Sequence, residues 1–187
     1  VVCQLTGASV IIDTPRYMDR VLDEAVETEL VATVITHGHF DHIEGFKVFT
    51  SRSQAPIGIH KNDAPKLPSL PSFYIDDGDS IPFGKLALEA MHTPGHTPGG
   101  ICLRIGKHLF SGDTLFPGGP GRTSSPRDFR EILNSIEGRL LRLPEETMVY
   151  PGHGKDTTIR DALAEFSVFV SNPVDANLHG EVRWVPS

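Results

Sequence analysis

Cysteine is scarce in this chain. Only Cys3 and Cys102 are present, each inside an apolar stretch, so both read as buried thiols and no disulfide framework is available. Long apolar runs are absent as well. None approaches the roughly 18 residues needed to cross a bilayer, so no membrane partner is expected. Basic residues are outnumbered, 17 Lys and Arg against 24 Asp and Glu, for a formal net charge of -7 and a pI near 5.7. Nonspecific nucleic-acid binding needs a basic face, so that class is set aside. No repeat, low-complexity tract or secretory leader pattern is visible, and a cytoplasmic location is the expectation. A hydrophobic share of 39% over 187 residues supports one well-buried core, and we expect a single domain over residues 1–187.

Histidine, in contrast, is clustered. Thr36-His37-Gly38-His39-Phe40-Asp41-His42 follows the apolar run Leu30–Ile35. Side chains alternate along extended backbone, so His37 and His39 point to one side. Asp41 and His42 are then free to turn toward a second position. Imidazole with carboxylate suits zinc or iron better than calcium or magnesium. Three more motifs sit just past apolar runs, each beside glycine or proline: Pro94-Gly95-His96-Thr97-Pro98, Gly112-Asp113-Thr114 and Pro151-Gly152-His153-Gly154. Loops at strand ends commonly carry sites. Five His and two Asp exceed what one tetrahedral ion takes and fit two ions sharing a carboxylate.

At these residues the chain resembles the metallo-β-lactamase superfamily. The H-x-H-x-D-H pattern of 37–42, followed in order by His96, Asp113 and His153, carries the likeness. Thr93-Pro94-Gly95-His96-Thr97-Pro98-Gly99, Phe110-Ser111-Gly112-Asp113-Thr114 and Tyr150-Pro151-Gly152-His153-Gly154 look like its glyoxalase II branch of thioester hydrolases. The resemblance implies an α/β fold, a four-layer αββα sandwich of two mixed sheets flanked by helices. It implies that His37, His39 and His96 hold one metal, that Asp41, His42 and His153 hold a second, and that Asp113 bridges them. The cofactor is then two divalent transition metals, zinc first, with iron or manganese as alternatives. A metal-activated water would cleave a small thioester, with Asp41 orienting it as the catalytic carboxylate.

Gly121-Arg122-Thr123 looks more like small single-domain relatives and persulfide dioxygenases, although Ser124 stands where an aspartate is common in the latter. That rival would hold one iron through His37 or His39 with His96 and Asp113, a facial triad. A lactonase or β-lactamase-type hydrolase shares the metal core. A non-catalytic metal-binding module ranks last, because the ligand set is complete. Only residues 171–187 follow the last helix, so the extra helical domain of full glyoxalase II enzymes is not expected, nor is tight glutathione specificity. The partner is a small-molecule substrate.

The pattern of the remaining residues predicts strands at 1–5, 9–13, 30–35, 56–60, 73–75, 80–83, 86–91, 101–105, 108–111 and 147–150. It predicts helices at 18–26, 43–49, 126–140 and 156–170, the last capped by Thr157 or Thr158. Asp41 is also placed to cap the helix from Ile43. Residues 62–72 read as loop, and loops 61–72 and 114–126 as the seat of substrate choice. Arg122 and Lys155 are candidate anion binders for the substrate. His60, His92, His108 and His179 lack motif context and read as structural or surface residues.

Overall fold

A computed structural model describes residues 1–185. In chain order its main elements are β1 (Ala8–Ile12), α1 (Met18–Ala25), β2 (Glu29–Ile35), α2 (Phe40–Ile43), α3 (Phe46–Arg52), β3 (Ile57–Ile59), β4 (Phe73–Tyr74), β5 (Ser80–Phe83), β6 (Leu86–His92), β7 (Ile101–Ile105) and β8 (His108–Gly112). Then come β9 (Leu115–Phe116), β10 (Gly119–Pro120), α4 (Pro126–Gly138), β11 (Met148–Pro151), β12 (Thr157–Thr158) and α5 (Ile159–Val170).

Two larger sheets carry the fold. One orders its strands β1-β2-β3-β4, the other β12-β11-β8-β7-β6-β5. The second is mixed, since β11 runs parallel to β8 while β5 to β8 form antiparallel pairs. The first is parallel at all three strand pairings and gains one antiparallel bridge, Val2 to Ser9.

Alternation along the strands builds three apolar layers. Val10 and Val34 of the first sheet meet Leu88, Ala90 and Leu103 of the second in the centre. Their neighbours Ile11 and Ile35 point the other way, onto Met18, Leu22, Phe46 and Phe49 of α1 and α3. On the far side Met91, Cys102 and Leu109 face Phe129, Ile132 and Ile136 of α4 and Phe166 of α5. Helix, sheet, sheet and helix are thereby stacked in the αββα order.

Several boundaries depart from the sequence pattern for local reasons. Residues 1–5 do not form a strand. Cys3 O accepts from both Thr6 N and Gly7 N, which folds the segment into a turn. β1 stops at Ile12 because Asp13 takes a positive φ of 61°. The helix expected at 43–49 is two pieces broken at Gly45. A Cβ there would lie 2.6 Å from Met18 Cβ, so the chain presses against α1 where only glycine fits. Asp41 consequently lies inside α2, and no side chain caps that helix. α5 begins at Ile159 rather than 156, with Thr158 accepting from Asp161 N at 3.1 Å. The short strands β9, β10 and β12 carried no periodic signal. Among the described residues no helix is long and apolar enough to cross a membrane.

Candidate metal centre

The loops after β2, β6, β8 and β11 converge on one edge of the sandwich. There the two sheets are tied together, with Ile101 N donating to Thr36 O at 2.9 Å. All seven histidine and aspartate residues of the sequence motifs meet at this edge. His37, His39 and His96 form one group whose ligand atoms lie within 4.8 Å of one another, Asp41, His42 and His153 form another, and His37, His42 and Asp113 form a third that overlaps both. Asp113 lies between the first two. Its Oδ1 is 3.3 Å from His42 Nε2, and its Oδ2 is 3.5 Å from His96 Nε2 and 3.8 Å from His153 Nε2.

The imidazoles are oriented from behind. Asp13 accepts from His42 Nδ1 at 2.7 Å, and the Thr36 hydroxyl lies 3.2 Å from His37 Nδ1. His96 Nδ1 donates to Arg122 O at 2.8 Å. In these three the Nδ1 is engaged outward and the Nε2 faces the cluster, the arrangement by which outer partners fix a metal-binding tautomer; His39 instead turns its Nδ1 inward, 3.2 Å from His37 Nε2. His96 Nε2 is buried without a hydrogen-bond partner among the described residues, and Asp113 Oδ1 has only the 3.3 Å approach of His42 Nε2. Leaving such an atom unpaired costs about 1–3 kcal/mol. A cation in the cluster would take His96 Nε2 and the Asp113 carboxylate as ligands and remove that cost, so the donor set fits divalent metal.

The electrostatics agree. Burial, followed by the neighbouring His42 and His96, pushes the His37 imidazole down to about 2, so it stays neutral and able to donate its lone pair. At His42 burial opposes the charged form, but Asp113 and Asp13 outweigh it and raise the group to about 10. Positive charge is thus favoured where the carboxylates converge and disfavoured at the neighbouring histidine.

The description of the metallo-beta-lactamase superfamily matches residues 27–153. The chain belongs to that superfamily. Among relatives, it is 31% identical to the hydroxyacylglutathione hydrolase GloC of Haemophilus influenzae over 73% of this chain and 74% of that one. Among solved structures, ETHE1 from Myxococcus xanthus superposes with a TM-score of 0.75 at 31% identity, covering 86% of this chain and 73% of that one. The di-iron-bound form of TTHA1623 superposes at 0.70 and 29% identity, covering 81% and 85%. Divalent metal bound by a His/Asp cluster is characteristic of the superfamily.

Two residues of this superfamily member escaped the sequence reading. Buried Asp13 accepts from Thr36 N at 2.7 Å as well as from His42. Its only signal was position, an aspartate ending an apolar strand as Asp113 does. Asp63, 2% exposed, accepts from Gly38 N at 2.8 Å and Gly99 N at 2.7 Å. It joins the His37–His39 loop to the His96 loop, and nothing in its proline-rich context announced this. Gly152 is required by space rather than conformation, since a Cβ there would sit 2.5 Å from Asp113 Oδ1.

Two clefts flank the cluster. One, of about 390 Å³, touches Asp41, His42 and His153 and is walled by Ile12, Phe110 and Tyr150. The other, of about 400 Å³, touches His96 and Asp113 and includes Arg122. Lys155 is exposed and lines neither. His60 and His92 stack on each other at 4.1 Å, His108 Nδ1 lies 2.9 Å from the Tyr150 hydroxyl, and His179 Nδ1 donates to Asn177 O at 2.8 Å. All four are outside the cluster.

Proposed function

We propose that this protein is a dinuclear metallo-hydrolase of small thioesters, with His37, His39 and His96 for one ion, Asp41, His42 and His153 for the other, and Asp113 shared. The observation that carries the reading is the pair of three-donor groups on either side of one carboxylate. Zinc is the proposed metal; iron is the alternative that the di-iron-bound TTHA1623 keeps open. The bound ions would polarise the substrate carbonyl and bring a water's pKa toward neutrality. Asp41 lies half-exposed at the cleft mouth, 2.8 Å from His153 Nε2. It orients the attacking water and holds its proton. The C–S bond then breaks, and the departing thiolate needs no strong acid, because a thiol has a pKa of about 8.5. The likeness to GloC supports the thioester as substrate. The reading takes residues 1–187 as one domain acting on a small molecule. Two free buried cysteines accord with a cytoplasmic setting.

A mononuclear iron persulfide dioxygenase is the second reading, favoured by the likeness to ETHE1. Elemental analysis of saturated protein, thioester hydrolysis and oxygen uptake on glutathione persulfide separate the two. We expect two ions per chain and thioester cleavage, with Asp41→Asn lowering kcat far more than it raises KM. One iron per chain, robust oxygen uptake and no thioester cleavage with any metal would overturn the hydrolase.

A further inference from the structure

The two clefts beside the cluster differ in charge. No Lys or Arg lines the one at Asp41 and His153, where Asp13 and Asp41 supply negative charge. The cleft at His96 and Asp113 sets two arginines, one on each wall, against the carboxylates of Asp113 and Glu181. One wall is the loop of residues 116–122, the other the tail of residues 181–185. They are fastened by hydrogen bonds from Thr123 N to Gly180 O and Gly180 N to Thr123 O, both 3.1 Å, and from Trp184 N to Gly118 O at 2.8 Å. Trp184 is 3% exposed and packs edge-on against Phe166 of α5 at 5.2 Å.

The tail is therefore anchored, and its register sets what faces the cleft. Val182 and Trp184 are buried, which turns Arg183 between them outward. On the opposite wall Arg122 stands between buried Gly121 and Thr123, and its carbonyl holds His96. A guanidinium is the side chain best matched to a carboxylate. Glu181 shares this cleft and lies 4.0 Å from Arg183, where it competes for the same charge.

Resting on the thioester-hydrolase reading, we infer that this cleft takes a carboxylate-bearing arm of the substrate, with Arg183 of the C-terminal tail as a specificity-determining residue opposite Arg122. The substrate then lies across the cluster, its uncharged end toward Phe110 and Tyr150. A carboxylate directed the other way meets Asp41.

The test compares three substrates on the metal-loaded full chain. S-acetylglutathione carries carboxylates in the thiol half, S-succinyl-N-acetylcysteamine carries one in the acyl half, and S-acetyl-N-acetylcysteamine carries none. At low salt a carboxylate substrate should exceed the neutral one in kcat/KM, and the half that matters identifies the arm. Arg183→Gln should cut that ratio about fivefold, through KM. Glu181→Gln should raise it, a change in the opposite direction that loss of folding cannot produce. High salt should shrink the ratio. A ratio unmoved in Arg183→Gln and Arg183→Glu, with thioester hydrolysis intact, overturns the inference. If wild type hydrolyses none of the three, the reaction class fails instead. Calorimetric binding of S-methylglutathione and of succinate, weakened by Arg183→Gln or not, then decides the cleft on its own.

Discussion

Asp13 touches the cluster directly at the back of His42 and reaches His37 through the Thr36 hydroxyl, and it raises the positive charge held at His42. Its Oδ2 holds His42 Nδ1 at 2.7 Å, and its carboxylate also takes the Thr36 backbone N–H and hydroxyl. Asp13→Asn is close to isosteric, but it removes a charge and puts a donor where an acceptor is needed. Partners of this kind typically govern metal affinity by about 10–100-fold. We expect a loss of that order at the Asp41, His42 and His153 group, with the His37, His39 and His96 group less affected. Competition with a chromophoric chelator measures it, and equal loss at both groups would mean that Asp13 acts as strongly on His37 through Thr36 as it does on His42. The seven cluster residues were legible in the sequence because each follows an apolar run, the signature of a strand end. Asp13 shared that placement without a histidine beside it, and Asp63 had no such placement, so neither stood out.

Elements decide how these residues are held. The sequence periodicity located β2, β6, β7, β8 and α4 well, since each carries a regular apolar pattern into the packed layers. It could not show the break at Gly45, which arises from contact with α1, nor the two-residue strands β9, β10 and β12, too short to display a period. It also could not show that two ligand loops share one support. Asp63 accepts from Gly38 N and Gly99 N, both buried, so Asp63→Ala strands two backbone donors. Each costs about 1–3 kcal/mol. We expect the variant to lose about 2–5 kcal/mol of stability in denaturant titration and to bind metal more weakly at the His37, His39 and His96 group. Asp63→Asn retains two acceptor lone pairs on one oxygen and should recover part of the loss. Full stability in Asp63→Ala would show that water satisfies these groups and that the tether is dispensable.

At the scale of the whole molecule, the cluster is where the two sheets are joined. His37, His39, Asp41 and His42 follow β2 of the first sheet, while His96, Asp113 and His153 follow β6, β8 and β11 of the second. Any ion shared between these sets binds the folded chain and not the unfolded one, so metal binding adds directly to stability. Free metal at 100 times its dissociation constant would contribute about 2.7 kcal/mol per site. Chelation should therefore lower the thermal midpoint, and restoring zinc should recover it in proportion to the logarithm of metal concentration. Asp113→Ala removes the carboxylate between the two groups. It should erase most of this metal-dependent gain and leave the variant closer to chelated wild type than to loaded wild type. The sandwich core does not depend on the metal, because the central layer of Val10, Val34, Leu88 and Leu103 is complete without it. Chelated protein should accordingly unfold cooperatively at a lower temperature. Loss of the cooperative transition on chelation would mean that the ions hold the two sheets together, rather than the apolar layer between them.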